Sequence, residues 1–449
     1  MSITEPTLLS LTRATVVSLA TLVVLLWAGQ GIRSFRTWPR VLFFWPAMAA
    51  LLTPGFVTAF AHFDSLMTQN VHEREWSYCI FVCFRLVPIA LVITCLTPVA
   101  ISQEGMHCLR LGTSFPWWRR KIWDLRAWGR GLWLGVAVVF FLTFQEFEIA
   151  VTWNMRAWPV SLFDAQAGGL ALGDSLRLAV PPFVIQSALS ALLVLLIRNQ
   201  VHGQTQSGFA SSSFELLTVV TNVGCLMICM FPVLLVCIGT WFAIKMAPGT
   251  AMALAPWREI ANALILSSAA TLAAWLLAGW IEKRRGWRWL LALPGLLGPL
   301  LCGLLLLALL QVPPLHLLRD TVFPPVLGLA LVLLPFALLL RFGIETTSDS
   351  AALHTARASG GRCAVWQLDG WPRLCAVLML FCFGYGDFTI NSLLAPPQFT
   401  SVSVRLLNLL HYGRSSALMT MFILAFAVPL AAALLTALIA RLYPRRRAS

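Results

Sequence analysis

Long apolar stretches with few charges are the feature that most limits how this chain can fold. Residues 289–311, for example, contain no Asp, Glu, Lys or Arg. Over the whole chain 59% of residues are hydrophobic and 11% are charged, which is more apolar material than a water-soluble core can bury. A helix of about 20 apolar residues satisfies its own backbone hydrogen bonds while crossing a bilayer. The sequence therefore predicts an all-α, polytopic membrane protein.

Eleven apolar segments are long enough, or nearly so, to be membrane spans. We expect them at residues 14–29, 41–61, 78–101, 131–153, 179–197, 215–244, 259–281, 289–311, 320–340, 374–394 and 416–440. The first is short, but no small-residue cleavage site follows Trp27, so we expect it to be a helix of the mature protein and not a secretory signal.

An internal repeat organises these segments. At an offset of about 240 residues, Pro54-Gly55 recurs as Pro294-Gly295, Pro98 as Pro335, Gly112 as Gly360, and Glu146-Phe147 as Asp387-Phe388. The same offset brings the first five spans onto the last five, and only 215–244 has no counterpart. Because five is odd, this added span makes the two copies parallel. We expect a first transmembrane half at 1–204 and a second at 205–449, which includes span 215–244.

The distribution of basic residues predicts the orientation. With the N-terminus outside, the inner segments hold 22 of the 32 Lys and Arg residues, as the positive-inside rule requires. This places the C-terminus in the cytoplasm and the protein in the plasma or inner membrane. The net charge of +14 then reflects topology and contact with membrane lipids, and no nucleic-acid partner is expected.

Several kinds of chemistry are excluded by missing motifs. None of the three lysines ends a Gly-Lys-Ser/Thr phosphate loop, and the seven histidines form no His-Glu-x-x-His helix. We therefore expect no metal site, no bound cofactor and no nucleotide site of the chain's own. A lipid-modifying membrane enzyme is disfavoured, because His107 and His354 have no repeated acidic neighbour. The chain is therefore not expected to be an enzyme.

Two basic loops, 102–130 and 341–373, occupy equivalent places in the repeats. Each has a short helix-compatible run before a glycine, at 109–112 and at 355–361. These stretches resemble the cytoplasmic loop of permease subunits of binding-protein-dependent ABC importers, which typically reads Glu-Ala-Ala, three residues, Gly, and later Leu-Pro. The tandem layout resembles the fused two-half permeases of iron(III) and thiamine importers.

The resemblance implies that each loop forms a coupling helix docked on a separate ATPase. The residues that match or flank the motif are Arg110, Gly112, Ala356, Arg357 and Gly360. Pro372 stands near the proline of the motif, whereas Met106 and His354 occupy its acidic position. The implied partners are two cytoplasmic ATPase subunits, which hydrolyse the ATP, and an extracytoplasmic solute-binding protein; the implied cargo is a small solute such as ferric iron or thiamine. Alternatively, the basic, Trp-bearing loops rest on the anionic inner leaflet.

Three carboxylates lie within predicted spans, at Glu146, Glu148 and Asp387. An acid at the centre of a span costs about 2.5 kcal/mol or more, so it usually faces a cavity or a partner. One interpretation is a translocation path lined by Glu146-Phe147 and Asp387-Phe388. The other is that Arg85 pairs with a glutamate and fixes helix packing. A secondary transporter with inverted five-helix repeats also remains open, with Glu146 and Asp387 as ion sites, provided that 215–244 does not cross the membrane.

Overall fold

The protein is a helical membrane protein. The computed structural model of the chain describes residues 3–34, 68–96, 117–198, 257–282, 288–347, 350–358 and 362–411, with isolated positions elsewhere. Within these ranges every regular element is a helix. Five described segments are long and apolar enough to cross a membrane: Thr4–Leu26, Gly131–Thr152, Leu172–Leu196, Trp257–Glu282 and Phe323–Glu345. The predicted spans 41–61, 215–244 and 416–440 lie largely outside the described residues.

The chain divides into two compact units, and the first comprises most of residues 1–238. Its described helices are α1 (Thr4–Ser34), α2 (Val71–Leu96), α3 (Trp117–Phe144), α4 (Glu148–Thr152), α5 (Trp158–Ala167) and α6 (Leu172–Arg198). Helices α1, α2 and α3 pack against one another, and α5 packs against α1. At the α2–α3 contact, a Cβ on Gly135 would lie 3.0 Å from the carbonyl oxygen of Ala90, so glycine permits the close approach.

The second unit comprises most of residues 239–449. Its described helices are α7 (Trp257–Glu282), α8 (Arg288–Leu296), α9 (Pro299–Leu309), α10 (Phe323–Thr347), α11 (Ser350–Ala358), α12 (Arg362–Val365), α13 (Trp371–Gly386), α14 (Thr389–Leu394) and α15 (Val402–His411). A π-helical turn, Trp366–Gly370, joins α12 to α13. Helices α7, α10 and α13 pack against one another, and α15 packs against α7. Buried Ala270, Ala274 and Ala278 form one face of α7, and their small side chains let the neighbouring helices approach.

Three predicted spans are interrupted where the sequence suggested continuous helices. Span 289–311 is divided into α8 and α9 at Gly298, whose positive φ of 87° suits glycine and stops the first helix. Span 131–153 is divided between α3 and α4, and span 374–394 between α13 and α14. Helices α3 and α13 also begin earlier than predicted, at Trp117 and Trp371. Apolar composition therefore predicted helices in these three segments but did not show that the helices were broken.

Pro335 and Gly295 explain one close helix contact in the second unit. Proline lacks an N–H group, so Pro335 leaves the carbonyl of Leu331, four residues earlier in α10, without its helical donor. Gly295 of α8 lies directly on that carbonyl: a Cβ there would overlap the Leu331 oxygen and lie 2.8 Å from Cδ of Pro335. The Pro-Gly dipeptide and the later proline, which the sequence showed as separate repeated features, meet at one contact.

Candidate functional site

Glu146 lies at the break between α3 and α4 in the first unit. Its Oε1 accepts a hydrogen bond from the Ile149 N–H at 2.7 Å, and its Oε2 accepts one from the Ala150 N–H at 3.1 Å. The hydroxyl of buried Tyr78 donates to the same Oε2 at 2.9 Å. Backbone N–H groups in the first turn of a helix have no partner within that helix. Glu146 therefore supplies acceptors that the new helix needs.

Asp387 has the same role at the break between α13 and α14 in the second unit. Its Oδ2 accepts hydrogen bonds from the N–H groups of Ile390 at 2.9 Å and Asn391 at 3.4 Å. In both units the bonded N–H groups are therefore three and four residues after the acid. The following residue, Phe147 or Phe388, directly precedes the short helix and is buried. The two Acid-Phe pairs of the sequence mark two breaks with the same local geometry.

Each break is also tied to the next helix along the chain. In the first unit, the Trp158 Nε1–H at the start of α5 donates to the Phe144 carbonyl at 2.7 Å. In the second, the Ser403 hydroxyl at the start of α15 donates to the Asp387 carbonyl at 2.9 Å. A carbonyl at the end of a broken helix lacks its helical donor, and in lipid no water replaces it. Trp158 and Ser403 supply such donors, and the Asn391 side-chain amide also donates to the Asp387 carbonyl at 2.8 Å. The sequence did not suggest this role.

The other intramembrane charges form ion pairs within the first unit. Arg85 of α2 lies 3.6 Å from Glu148 of α4, which is the packing role expected by one of the two interpretations of the sequence.

Phe147, predicted to line a path, packs its ring against Phe163, with ring centroids 5.2 Å apart. All four residues predicted to line a path thus have structural contacts in their own units, and their role in a path stays a prediction.

A buried arginine near the start of α1 forms a network that the sequence analysis missed. Arg13 is 4% exposed, and its Nε and Nη2 donate to the two carboxylate oxygens of Glu75 at 2.8 and 2.6 Å. Its Nη1 donates to the Arg156 carbonyl at 2.8 Å, and the guanidinium lies 5.2 Å from the centroid of the Tyr78 ring. A buried charge is tolerated when it is paired and hydrogen-bonded in this way. Because Tyr78 also contacts Glu146, the network reaches the first helix break.

The short helix expected before Gly360 is present as α11, Ser350–Ala358. Ala356 is buried, whereas His354 and Arg357 are exposed. Of the described residues assigned to coupling, Ala356 is thus buried and Arg357 is exposed, and their coupling role stays a prediction. Arg110, Gly112 and Gly360 lie outside the described residues.

A second arginine cluster lies where α7 ends, close to the α10 end that leads into α11. Arg341 of α10 donates to Oε2 of Glu282 from both Nε and Nη2, at 2.9 and 2.7 Å. Its guanidinium lies 4.9 Å from the centroid of the Trp275 ring, and a Cβ on Gly279 would come within 3.3 Å of it. Trp275, Gly279 and Glu282 are spaced by four and three residues and so lie on one face of α7. All three contact the guanidinium of Arg341. The sequence placed Arg341 and Glu282 just outside spans and gave them no role, although that spacing is visible in it.

Among the described residues, no three or more His, Cys, Asp or Glu side chains are grouped so as to hold a metal ion. No protein-family model, curated protein or solved structure matches the chain.

Proposed function

We propose that the chain is the permease subunit of an ATP-driven ABC importer for a small solute. In this proposal both transmembrane halves lie on one chain, two cytoplasmic ATPase subunits supply the energy, and an extracytoplasmic binding protein delivers the solute. The N-terminus is outside and the C-terminus is in the cytoplasm of a plasma or inner membrane. Ferric iron and thiamine are cargo candidates through the sequence resemblance alone.

The duplicated helix break is the main observation in favour of this proposal. Each unit has three long, mutually packed helices, a break after the third, a carboxylate that caps a short helix, and a later helix that packs on the first. Two similar halves suit a transporter driven by two identical motor subunits, because each motor needs an equivalent seat. The breaks lie at Acid-Phe pairs that already belong to the predicted repeat, so what they add is their shared capping geometry.

Helix α11 supports the coupling role in the second half. It lies between two long helices, α10 and α13, in a stretch predicted to face the cytoplasm, and it exposes His354 and Arg357. In this proposal a push on the surface of α11 is transmitted to α10, which is long and apolar enough to cross a membrane, and to α13.

An ion-coupled secondary transporter is the second candidate, and one observation favours it. Broken helices with nearby acids are a common way to build ion sites in such carriers. That fold requires inverted halves, so loops 102–130 and 341–373 would face opposite sides of the membrane. Single cysteines at Arg119 and Arg357, in a cysteine-free background, are labelled from the same side if the halves are parallel. Labelling from opposite sides would overturn the importer proposal.

Binding of the ATPase tests the proposal directly. The chain is purified from its native membrane with and without Arg357→Glu, which reverses the charge on the exposed face of α11 without breaking the helix. Arg405→Glu, on the exposed face of α15, is the matched control because it makes the same charge change on a helix predicted to face outward. We expect an ATPase subunit to co-purify with the wild type and the control and to be depleted from Arg357→Glu. Equal recovery with both variants, or no ATPase with the wild type, would contradict the coupling role.

A further inference from the structure

The π-helical turn Trp366–Gly370 interrupts an otherwise continuous helix that leads from α12 into α13. Its cause is visible in the sequence. Pro372 has no N–H to donate to the carbonyl of Leu368, four residues earlier, and its ring crowds that carbonyl, so the preceding turn widens. Single π-helical turns inside helices are rare, and those that occur are often at functional sites.

Gly370 fits the widened turn for a steric reason. The Trp366 ring lies against its Cα, and a Cβ on residue 370 would overlap the ring, with Cδ2 and Cζ3 both at 2.8 Å. The indole is bulky, so any side chain at 370 would have to displace the ring or change the turn. A glycine in contact with a tryptophan, two residues before a proline, therefore defines this turn.

Ionic contacts bridge the turn and connect it to the bundle. Asp369 within the turn pairs with Arg373 of α13 at 2.9 Å. Arg373 also interacts electrostatically with Glu282 of α7 and Glu345 of α10, and Glu345 shares a side-chain hydrogen bond with Glu282. The Arg341–Glu282 ion pair joins α7 to α10 at this end of the unit. Helix α13, which begins directly after the turn, packs against both of these helices.

We propose that the turn Trp366–Gly370 is a pivot on which α11 and α12 move against a bundle held by this charge cluster. The fixed ends resist shearing between α7, α10 and α13, so displacement of α11 is taken up where the helix is widened. Movement passed along α13 reaches its far end, where Asp387 caps α14. The pivot deepens the proposed importer function, because the force on α11 would come from the ATPase. The local mechanics, however, can be measured on the permease alone.

Backbone hydrogen exchange of the full chain in lipid nanodiscs tests the pivot without any partner. Gly370→Ala places a methyl group against the Trp366 ring. The matched control is Gly343→Ala in α10, where a Cβ would meet nothing within 4 Å. We expect Gly370→Ala to speed exchange in α11 by about threefold or more, because α11 packs on α12 and α12 leads directly into the turn, while residues 376–386 of α13 stay protected. The control is expected to leave α11 unchanged.

The double variant Gly370→Ala/Trp366→Ala separates the pivot from a general loss of folding. Removing the ring removes the overlap, so exchange in α11 should return toward the wild-type rate. If Gly370→Ala behaves like Gly343→Ala, or if the double variant fails to restore α11, the pivot is wrong. If the exchange results are as expected but no ATPase binds α11, the pivot stands and the importer function falls.

Discussion

Replacing Gly295 with alanine is the sharpest test of how the second unit is packed. The added methyl group would overlap the Leu331 carbonyl oxygen, which is backbone and cannot rotate away, and would press on Cδ of Pro335. Overpacking of this kind typically costs about 1–3 kcal/mol, and the lost contact between the glycine Cα–H and the carbonyl adds about 0.5–1 kcal/mol. Alanine favours a helix over glycine by about 1 kcal/mol, which offsets part of this cost. We expect a net destabilisation of about 0.5–3 kcal/mol.

The control and the assay follow from a second glycine in the same unit. Gly343→Ala has the same intrinsic helix benefit, and its Cβ meets nothing within 4 Å, so it should be neutral or stabilising by up to about 1 kcal/mol. Thermal unfolding of both variants in the same detergent gives the comparison. The apparent melting temperature should fall for Gly295→Ala and hold or rise for Gly343→Ala. Equal shifts in the two variants would refute the argument that α8 and α10 meet through backbone at Gly295.

Two further outcomes follow from the helix breaks. Asp387→Asn should change stability little, because one oxygen of Asp387 accepts both N–H groups and asparagine caps a helix equally well. Glu146→Gln should cost about 1 kcal/mol or more, because both oxygens of Glu146 accept hydrogen bonds and a glutamine amide has only one oxygen. Equal unfolding temperatures for these two variants would contradict this. Trp158→Phe keeps an aromatic ring, although a smaller one, and removes the donor to the Phe144 carbonyl. It should destabilise the chain by about 1–3 kcal/mol in the same assay. A variant as stable as the wild type would show that another group satisfies that carbonyl.

The sequence predicted the class of fold, because the length and polarity of apolar segments follow directly from the thickness of a bilayer. Segments such as 259–281 and 320–340 correspond closely to α7 and α10. It also identified Glu146 and Asp387 as unusual, because an acid in lipid is costly wherever it lies. The short helix α11 was expected from the glycine that follows it.

The sequence did not show what the acids contact. A charge in a span indicates only that some partner exists, and the partners here are backbone N–H groups three and four residues later, which become available because the helix is broken. The sequence also did not show the hydrogen bonds that Trp158 and Ser403 donate, or the contacts of Arg341 with α7, for a related reason. Each is a contact between helices, and its geometry depends on the rotation and tilt of both.

Acid and break depend on each other in both units. A carboxylate within a continuous helix would find every nearby N–H group already bonded, so its cost in lipid would not be offset. A break without the acid would leave N–H groups at the start of α4 or α14 without an acceptor, at about 1–3 kcal/mol each. When both are present, the carboxylate accepts hydrogen bonds from the free N–H groups, so neither group is left unsatisfied. This explains why a carboxylate stands at the same place relative to each break. It also means that any role of Glu146 or Asp387 in transport has to be separated experimentally from helix capping, and Asp387→Asn, which keeps the cap and removes the charge, makes that separation.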